Sequence, residues 1–316
     1  MKKLLTLLLM GTGFAVFAQQ DLQFTQFTNN RLYYNPGVAG SKGSICVTGV
    51  HRSQWVGFEN APVTQNLNVE VPIAAIRGGV YLNVVNDAIG FFQNTSLGLG
   101  YAYQMDFMNG KLGIGAAADL YTNQIQSGTN YILPEPNSGP DPSVIQQGTS
   151  GVAIDGTFGV YYSDPNLWVG VSTRRLIGAK TDFTSQTGNV TQLSHERHYF
   201  IMGGYNYPLE GTDIVLTPAA IVKFDESALN PQADINITGT YNNQIWGGVT
   251  YRVQDAVALM AGYRILPELQ LAYSYDLTTS DLNASSSGSH EITVNYCFKI
   301  ELPKPVPSRE GNSVWL

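Results

Sequence analysis

Beyond its N-terminus, the chain lacks any apolar run of the roughly 20 residues that a membrane-spanning helix needs. The longest apolar run, residues 4–17, follows two lysines and ends at a small-x-small cleavage site, residues 16–18. These features predict a signal peptide over residues 1–18, removed before Gln19. No cysteine follows the predicted cleavage site, so a lipoprotein anchor is not indicated. We therefore expect an exported protein without helical spans.

Charge is also scarce. Charged residues make up 13% of the chain, against roughly 25% in a soluble domain. Without Lys2 and Lys3, 15 basic residues face 24 acidic ones, a net charge of −9. This balance disfavours nucleic-acid binding, because phosphate contacts need a basic surface. The low charge and the 18 tyrosines suit an outer-membrane barrel with aromatic girdles. A soluble secreted β-sandwich stays open at this point.

Residue patterns for catalysis or metal binding are few. His195 and His198 are three residues apart on a segment that enters a predicted strand, where they would lie on opposite faces. The serines of residues 284–289 have no base placed beside them by any motif. Gly98 and Gly100 alternate within a predicted strand and do not form a phosphate loop. We therefore predict no enzyme activity, no cofactor and no metal site.

What the chain has in abundance is alternation of apolar and polar residues. In the last such segment Ile292, Val294 and Tyr296 share one face, and Thr293 and Asn295 share the other. A period of two predicts a β-strand, and in a membrane barrel the apolar face meets lipid while the polar face meets the lumen. We count fourteen candidate strands, which start near Ser44, Val63, Gly79, Phe91, Lys111, Gly151, Leu167, His198, Asp213, Gln232, Ile245, Ala256, Glu268 and Ser289.

The connections between these strands differ in length. Every second one is a tight turn rich in Gly, Pro, Asn or Asp, such as residues 106–110, and the others are mostly longer, such as residues 123–150. Outer-membrane barrels have an even strand number, with short turns in the periplasm and long loops outside. We therefore predict an all-β, antiparallel transmembrane barrel over residues 44–300, with an N-terminal segment, residues 19–43, and a periplasmic tail, residues 301–316.

The N-terminal segment is too polar for a lipid-facing strand, yet it carries the aromatic residues Phe24, Phe27, Tyr33 and Tyr34. Four aromatic side chains rarely stay in water. We therefore predict that the segment lies inside the lumen as a plug, and the alternative is a loose periplasmic lead-in. The candidate plug residues are Tyr33, Tyr34, Asn35 and Pro36.

Three blocks of the sequence resemble the PorP/SprF family of type IX secretion membrane proteins of the Bacteroidota. They are residues 21–41, residues 52–64 and residues 288–292. Family members carry a similar tyrosine-asparagine-proline stretch, a similar arginine-x-glutamine-tryptophan-x-glycine-phenylalanine stretch and a similar closing strand. The chain departs from the family at Asn60, where members often have glycine, and in its long C-terminal tail.

The resemblance implies an outer-membrane barrel needed for secretion or surface attachment of type IX cargo proteins. It also implies partnership with a periplasmic ring and, in some members, with an inner-membrane motor and gliding motility. We expect docking of cargo or machinery to loops and tail, because about fourteen strands enclose a lumen too narrow for a folded cargo. The alternatives are a transport channel of the porin or fatty-acid type, which would conduct ions, and a barrel enzyme, which would need a nucleophile at its rim.

The second block supplies candidate docking residues at an outer loop, namely Arg52, Gln54, Trp55, Gly57 and Phe58. We expect Arg52 on the lumenal face and the loop with Trp55 and Phe58 folded inward at the outer rim. The alternative for Trp55 is a place in the lipid-facing aromatic girdle.

Two further features fall near the ends of the barrel. Cys46 and Cys297 lie on the lumenal phase near the periplasmic ends of the first and last strands. These strands are neighbours in a closed barrel, and the oxidising periplasm allows a disulfide, although register decides whether the α-carbons come close enough. In the tail, prolines favour an extended spacer before a terminal apolar triplet, a candidate anchor for a periplasmic partner; a disordered overhang is the alternative. The triplet is Val314, Trp315 and Leu316.

Overall fold

The structure is a computed structural model, and it describes residues 22–126, 148–184, 190–226 and 231–298. The predicted signal peptide and the predicted tail with Val314, Trp315 and Leu316 lie outside these residues. Among the residues described, no helix has both the length and the apolar character to cross a membrane.

Fourteen antiparallel strands form a closed barrel, which confirms the predicted fold. In chain order the strands are β1 (Ile45–Ser53), β2 (Val63–Ile73), β3 (Gly78–Ile89), β4 (Phe92–Phe107), β5 (Gly110–Ile125), β6 (Thr149–Ser163), β7 (Leu167–Arg174), β8 (Lys180–Thr184), β9 (Val190–Ser194), β10 (His198–Tyr205), β11 (Tyr207–Pro208), β12 (Ile214–Asp225), β13 (Gln232–Tyr241), β14 (Ile245–Arg252), β15 (Ala256–Arg264), β16 (Leu269–Thr278) and β17 (Ser289–Phe298). The barrel contains all of them except β8 and β9, and β11 is a two-residue continuation of β10. Each predicted strand start lies within two residues of the observed one.

The alternation of residue types places apolar side chains outside the barrel and polar ones inside. In β16, Leu271 and Tyr273 are exposed on the outer surface, whereas Ser274 and Asp276 are buried. Pairing of the last strand with the first leaves no free sheet edge, so the strands satisfy each other's backbone groups. A closed sheet of this kind is one of the two structures that can span the hydrocarbon layer.

The two ends of the barrel differ as the sequence predicts. The turn after β13 is tight, and its residues Asn242 and Asn243 both have positive φ, 51° and 52°. Asparagine tolerates this left-handed conformation, which hairpin turns of two residues require. The loop between β16 and β17, residues 279–288, lies at the other end and is longer. By the rule for outer-membrane barrels, the end with short turns is periplasmic.

One element of the outer end is absent from the predicted strands. Strands β8 and β9 pair with each other as a separate hairpin within the connection from β7 to β10. Its side chains Thr181 and Phe183 are buried, and Thr181 hydrogen-bonds Asn123 of β5. The hairpin therefore packs against the outer end of the barrel on the β5–β6 side.

The N-terminal segment has little regular structure. It contains one helical turn, α1 (Arg31–Tyr34), followed by a 3-10 turn over Pro36–Val38. Most of its residues are buried, and they provide a large part of the main apolar cluster of the protein.

Candidate functional site

Residues 22–43 pass through the interior of the barrel from its outer end to its periplasmic end. Near the outer end, Thr25 hydrogen-bonds residues of β16 and β17. Farther along, Asn35 hydrogen-bonds β6 and β7, on the opposite wall. At the periplasmic end, the N–H of Gly40 donates to Glu70 of β2. The segment is therefore attached to several strands around the ring.

Aromatic rings form the centre of this interior packing. Phe24 meets Tyr33 edge to face with ring centroids 4.8 Å apart, and Tyr34 meets Phe200 of β10 at 5.4 Å. The guanidinium of Arg174 lies 4.2 Å from the centre of the Tyr33 ring. Edge-to-face and cation–π contacts of this kind add to the gain from burial.

The Tyr-Asn-Pro stretch fits against the wall formed by β4–β7. The Asn35 amide donates to the carbonyl oxygens of Val160 and Val171, and its own oxygen accepts the N–H of Gly37. The backbone runs so close to β5 that a Cβ at Gly37 would lie 2.8 Å from the carbonyl oxygen of Gly113. A glycine is therefore required on the segment at this contact.

Burial of the segment supplies considerable free energy. Six of its large apolar side chains are less than 7% exposed: Phe24, Phe27, Leu32, Tyr33, Tyr34 and Val38. Each contributes roughly 1.5–3 kcal/mol when fully buried, so together they contribute on the order of 10 kcal/mol. The segment is therefore an integral part of the folded barrel.

Charged side chains hold the outer part of the segment. Both oxygens of Glu291 accept backbone N–H groups, from Thr25 at 2.8 Å and from Gln26 at 2.9 Å. The Thr25 hydroxyl lies 2.8 and 2.7 Å from the two carboxylate oxygens of Asp276 and 3.0 Å from Arg52. Arg52 is 1% exposed and lies on the lumenal face, and it pairs with Asp276 at 2.8 Å and with Glu291 at 3.1 Å.

This charge cluster continues along the inner wall. Arg252 of β14 pairs with Asp276 at 3.2 Å and with Asp234 of β13 at 3.3 Å. Asp234 in turn accepts from Lys223 of β12 at 2.9 Å. Three cations and three carboxylates thus neutralise each other, which is how charges are tolerated in a buried setting. We call Arg52, Lys223, Asp234, Arg252, Asp276 and Glu291 the lumenal charge cluster.

The outer loop between β1 and β2 follows directly from Arg52. Its base is closed by a hydrogen bond from the N–H of Gln54 to the carbonyl oxygen of Pro62. The N–H of Val56 donates to the oxygen of Gly288, and that of Ser287 donates to the oxygen of Val56. The loop is therefore bonded to the loop between β16 and β17, its neighbour across the seam of the barrel.

The loop does not fold inward as the sequence analysis expects. Trp55 is half-buried, but Val56 and Phe58 are 38% and 37% exposed. The space beneath is occupied by the lumenal charge cluster and by Thr25, and the bonds to Gly288 direct the loop sideways. Gly57 has φ of +111°, a conformation that glycine adopts without strain, where the loop approaches Ser285.

The two cysteines lie at the seam where the barrel closes. Cys46 and Cys297 are directly opposite each other in the register of β1 and β17, with their α-carbons 4.1 Å apart. Their sulfurs are bonded, near the periplasmic ends of both strands. The first and last strands are thus joined covalently as well as by backbone hydrogen bonds.

The two histidines that follow β9 are both buried. His195 lies 2.8 Å from the Thr181 hydroxyl, and burial together with the charge of Arg175 lowers the pKa of His195 to about 4. His198 lies 2.6 Å from Asp225 and 3.0 Å from Arg175. No cluster of metal-binding side chains occurs within the described ranges. Both histidines join the outer connections to the barrel wall.

A scan of protein families matches residues 16–296 to the type IX secretion system membrane protein PorP/SprF. The chain belongs to the PorP/SprF family. As a PorP/SprF barrel it is an outer-membrane component of type IX secretion. Comparison with curated proteins gives no significant match.

Solved structures similar to this PorP/SprF protein are also outer-membrane barrels. The Pseudomonas putida toluene transporter TodX is 13% identical, with 87% of this chain and 95% of that chain covered and a TM-score of 0.48. The monoaromatic hydrocarbon channel CymD is 12% identical, with coverages of 81% and 88% and a TM-score of 0.47. Omp33 of Acinetobacter baumannii is 11% identical, with coverages of 82% and 99% and a TM-score of 0.42. Similarity of this degree does not bear on function.

Most of the lumenal charge cluster is missed by motif reasoning, which identifies only Arg52. The signal is nevertheless present in the sequence. Asp234, Arg252, Asp276 and Glu291 all fall on the polar phase of their strands, and each lies within three residues of a strand's outer end. Charges at matching heights of neighbouring strands indicate an ion-pair network facing the lumen.

Proposed function

We propose that this PorP/SprF protein is a closed, non-enzymatic docking barrel of type IX secretion. In this proposal, cargo and secretion machinery bind at its two rims and nothing passes through its lumen. The observation that supports it is the burial of residues 22–43 inside the ring of strands. A segment whose release would expose six large apolar side chains is better suited to a permanent plug than to a gate.

The outer rim is the proposed site for secreted cargo proteins. The exposed side chains of Val56 and Phe58 stand beside the half-buried Trp55 on a loop that is braced by its neighbour. Aromatic anchors on a fixed backbone favour protein contacts, because little conformational entropy is lost on binding. Gln54 and Gly57 serve this surface by closing and turning the loop.

The periplasmic rim is the proposed site for the secretion machinery. Strand β17 ends at this rim, and the tail with Val314, Trp315 and Leu316 follows it in the sequence. An apolar triplet behind a proline-rich spacer suits insertion into a groove on the periplasmic ring. If the ring is linked to an inner-membrane motor, the motor would supply energy for secretion to the barrel through the ring.

A conductance experiment tests the closed state. Purified protein in planar bilayers is expected to stay non-conducting, whereas the Phe24→Ala/Tyr34→Ala double variant is expected to give ion currents. Each change to alanine removes roughly 3–5 kcal/mol of the packing energy that holds the segment. The matched control is Tyr263→Ala, which removes an exposed outer-surface tyrosine and leaves the interior unchanged. Steady currents through the unaltered protein would contradict the proposal.

A deletion strain tests the secretion role. Loss of the gene is expected to leave type IX cargo unsecreted, degraded or detached from the cell surface, as measured by comparing secretome and surface proteome with those of the parent. Normal secretion together with a defect in nutrient uptake would instead support the transport channel, which is the alternative function.

A further inference from the structure

A polar cleft lies at the periplasmic end of the barrel, between the N-terminal segment and strands β15–β17. Its volume is about 270 Å³. Thr28 and Asn29 of the segment border it on one side, and Gln270 and Asn295 of the strands border it on the other. Its strand residues are on the inward-facing phase, so the cleft belongs to the part of the lumen that the segment leaves unfilled.

Cations dominate the lining of this cleft. Arg31, Lys42 and Arg264 face one exposed carboxylate, Glu268. Lys42 is paired with the buried Glu70 at 3.0 Å, so its charge is partly neutralised. The two arginines remain as the principal charges. Such a site contrasts with the chain as a whole, which carries an excess of acidic residues.

The two guanidinium groups differ in how they are held. Arg31 donates to the carbonyl oxygen of Thr28 and to the hydroxyl of Tyr161, both at 2.9 Å, and lies 4.0 Å from the Trp168 ring centre. These contacts fix its orientation and leave its second terminal nitrogen without a partner among the described residues. The Arg264 guanidinium makes no hydrogen bond or ion pair within that same part of the chain. The planar fork of Arg264 that matches a carboxylate is therefore open, and Arg31 offers its second terminal nitrogen beside it.

We infer that this cleft binds a carboxylate-bearing segment of a periplasmic partner protein. The inference rests on the docking role proposed above and assigns a recognition site to the periplasmic rim. A lipid headgroup is a poorer fit, because the lining faces the interior of the ring and not the bilayer. The volume is near the lower limit of roughly 300 Å³ for small-molecule sites, which suits the insertion of one or two side chains.

Peptide binding to the full-length protein in detergent tests the site. The fluorescence anisotropy of a labelled hexaglutamate peptide is expected to rise on binding, and its affinity is expected to fall as the salt concentration rises. A hexalysine peptide is expected not to bind. Arg264→Gln is expected to weaken hexaglutamate binding about tenfold, as loss of a charge-assisted contact does. The matched control is Arg77→Gln, an exposed arginine in the periplasmic turn between β2 and β3, which should bind as the unaltered protein does.

Several outcomes would overturn the inference. Equal binding of hexalysine, or equal losses for Arg264→Gln and Arg77→Gln, would indicate non-specific attraction. Binding that appears only after truncation behind residue 300 would assign the cleft to the chain's own tail. Competition by phosphatidylglycerol as strong as that by peptide would assign it to lipid. If the barrel does not conduct and hexaglutamate does not bind, only the inference about this cleft is wrong. If the barrel conducts, the proposed docking role is wrong.

Discussion

Glu291 joins the first described residues of the chain to its last strand. Its two oxygens accept the N–H groups of Thr25 and Gln26, and it pairs with Arg52. A glutamine at this position keeps the size of the side chain but loses the charge and one acceptor. Removal of one partner from a buried ion pair costs roughly 3–5 kcal/mol, and this is the upper value here because Arg52 keeps its pair with Asp276.

We therefore expect Glu291→Gln to lower the temperature at which the folded band disappears in heat-modifiability gels. Glu210→Gln provides the control, because Glu210 is exposed in a periplasmic turn. Equal unfolding temperatures for the two variants would mean that the carboxylate does not hold the segment.

At the outer rim, Trp55→Ala and Phe58→Ala are expected to reduce cargo secretion without changing the stability of the barrel. The reason is that Phe58 is 37% exposed and Trp55 only half-buried, so little packing is lost. Quantitative mass spectrometry of culture supernatant and cell surface measures the effect. Phe92→Ala, at the outer end of β4 and 45% exposed, is the control. An equal secretion defect in the control would mean that the loop has no special role.

Single residues show what the sequence can and cannot predict. The alternation in β1 places Arg52 on the inner face correctly, because a strand leaves only two faces to choose between. The predicted inward direction of Phe58 was wrong. The conformation of its loop depends on hydrogen bonds between Val56 and residues 287 and 288, which are far away in the sequence. Loop conformation of this kind has no periodicity to reveal it.

Among the elements, the seam between β1 and β17 carries the disulfide. The bond joins residues 251 positions apart. In the chain-entropy model, a closed loop of this length restricts the unfolded chain by about 5 kcal/mol. The Cys46→Ser/Cys297→Ser double variant is therefore expected to fold but to unfold at a lower temperature.

The same gels, run with and without reductant, measure this effect. Reductant should lower the unfolding temperature of the original protein toward that of the double variant and leave the variant unchanged. A reductant effect of the same size on the variant would show that the shift does not come from this bond.

The fourteen long barrel strands were predictable because alternation is a local pattern, although it is less regular in β3 and β4. The hairpin β8–β9 was not predicted, because its burial arises from tertiary contacts, such as those of Thr181 with Asn123 and with His195. Short strands whose faces are set by such contacts lack a distinct signal in the sequence.

For the whole molecule, the predicted periplasmic tail, residues 301–316, provides the clearest test of assembly with partners. Truncation after Ile300 is expected to leave barrel formation intact, because β17 already completes the ring before that residue. Co-purification with the periplasmic ring is expected to decrease. Heat-modifiability gels check the barrel, and affinity purification from membranes measures the partner. If the truncated protein recovers as much of the ring as the full-length protein, the tail does not bind the ring.

At this scale the sequence predicts the closed barrel but not the contents of its lumen. Strand number, turn lengths and outward faces follow from short patterns. The contacts of Thr25 with Asp276 and of Asn35 with Val160 join residues more than 120 positions apart. These contacts depend on which side chains come to the same height inside the ring. No local pattern in the sequence determines that height.

The enclosed position of residues 22–43 has a consequence for the order of biogenesis. This segment is synthesised before every strand, whereas Glu291 and Asp276, which hold its outer part, belong to the last two strands. Threading of the segment into a finished ring would have to bring Thr25 and Asn35 to opposite walls of a closed sheet. We therefore expect the sheet to curl around the segment and to close last between β1 and β17. In this order of folding, the insertion machinery would receive a partly folded sheet that already holds the aromatic side chains of the segment.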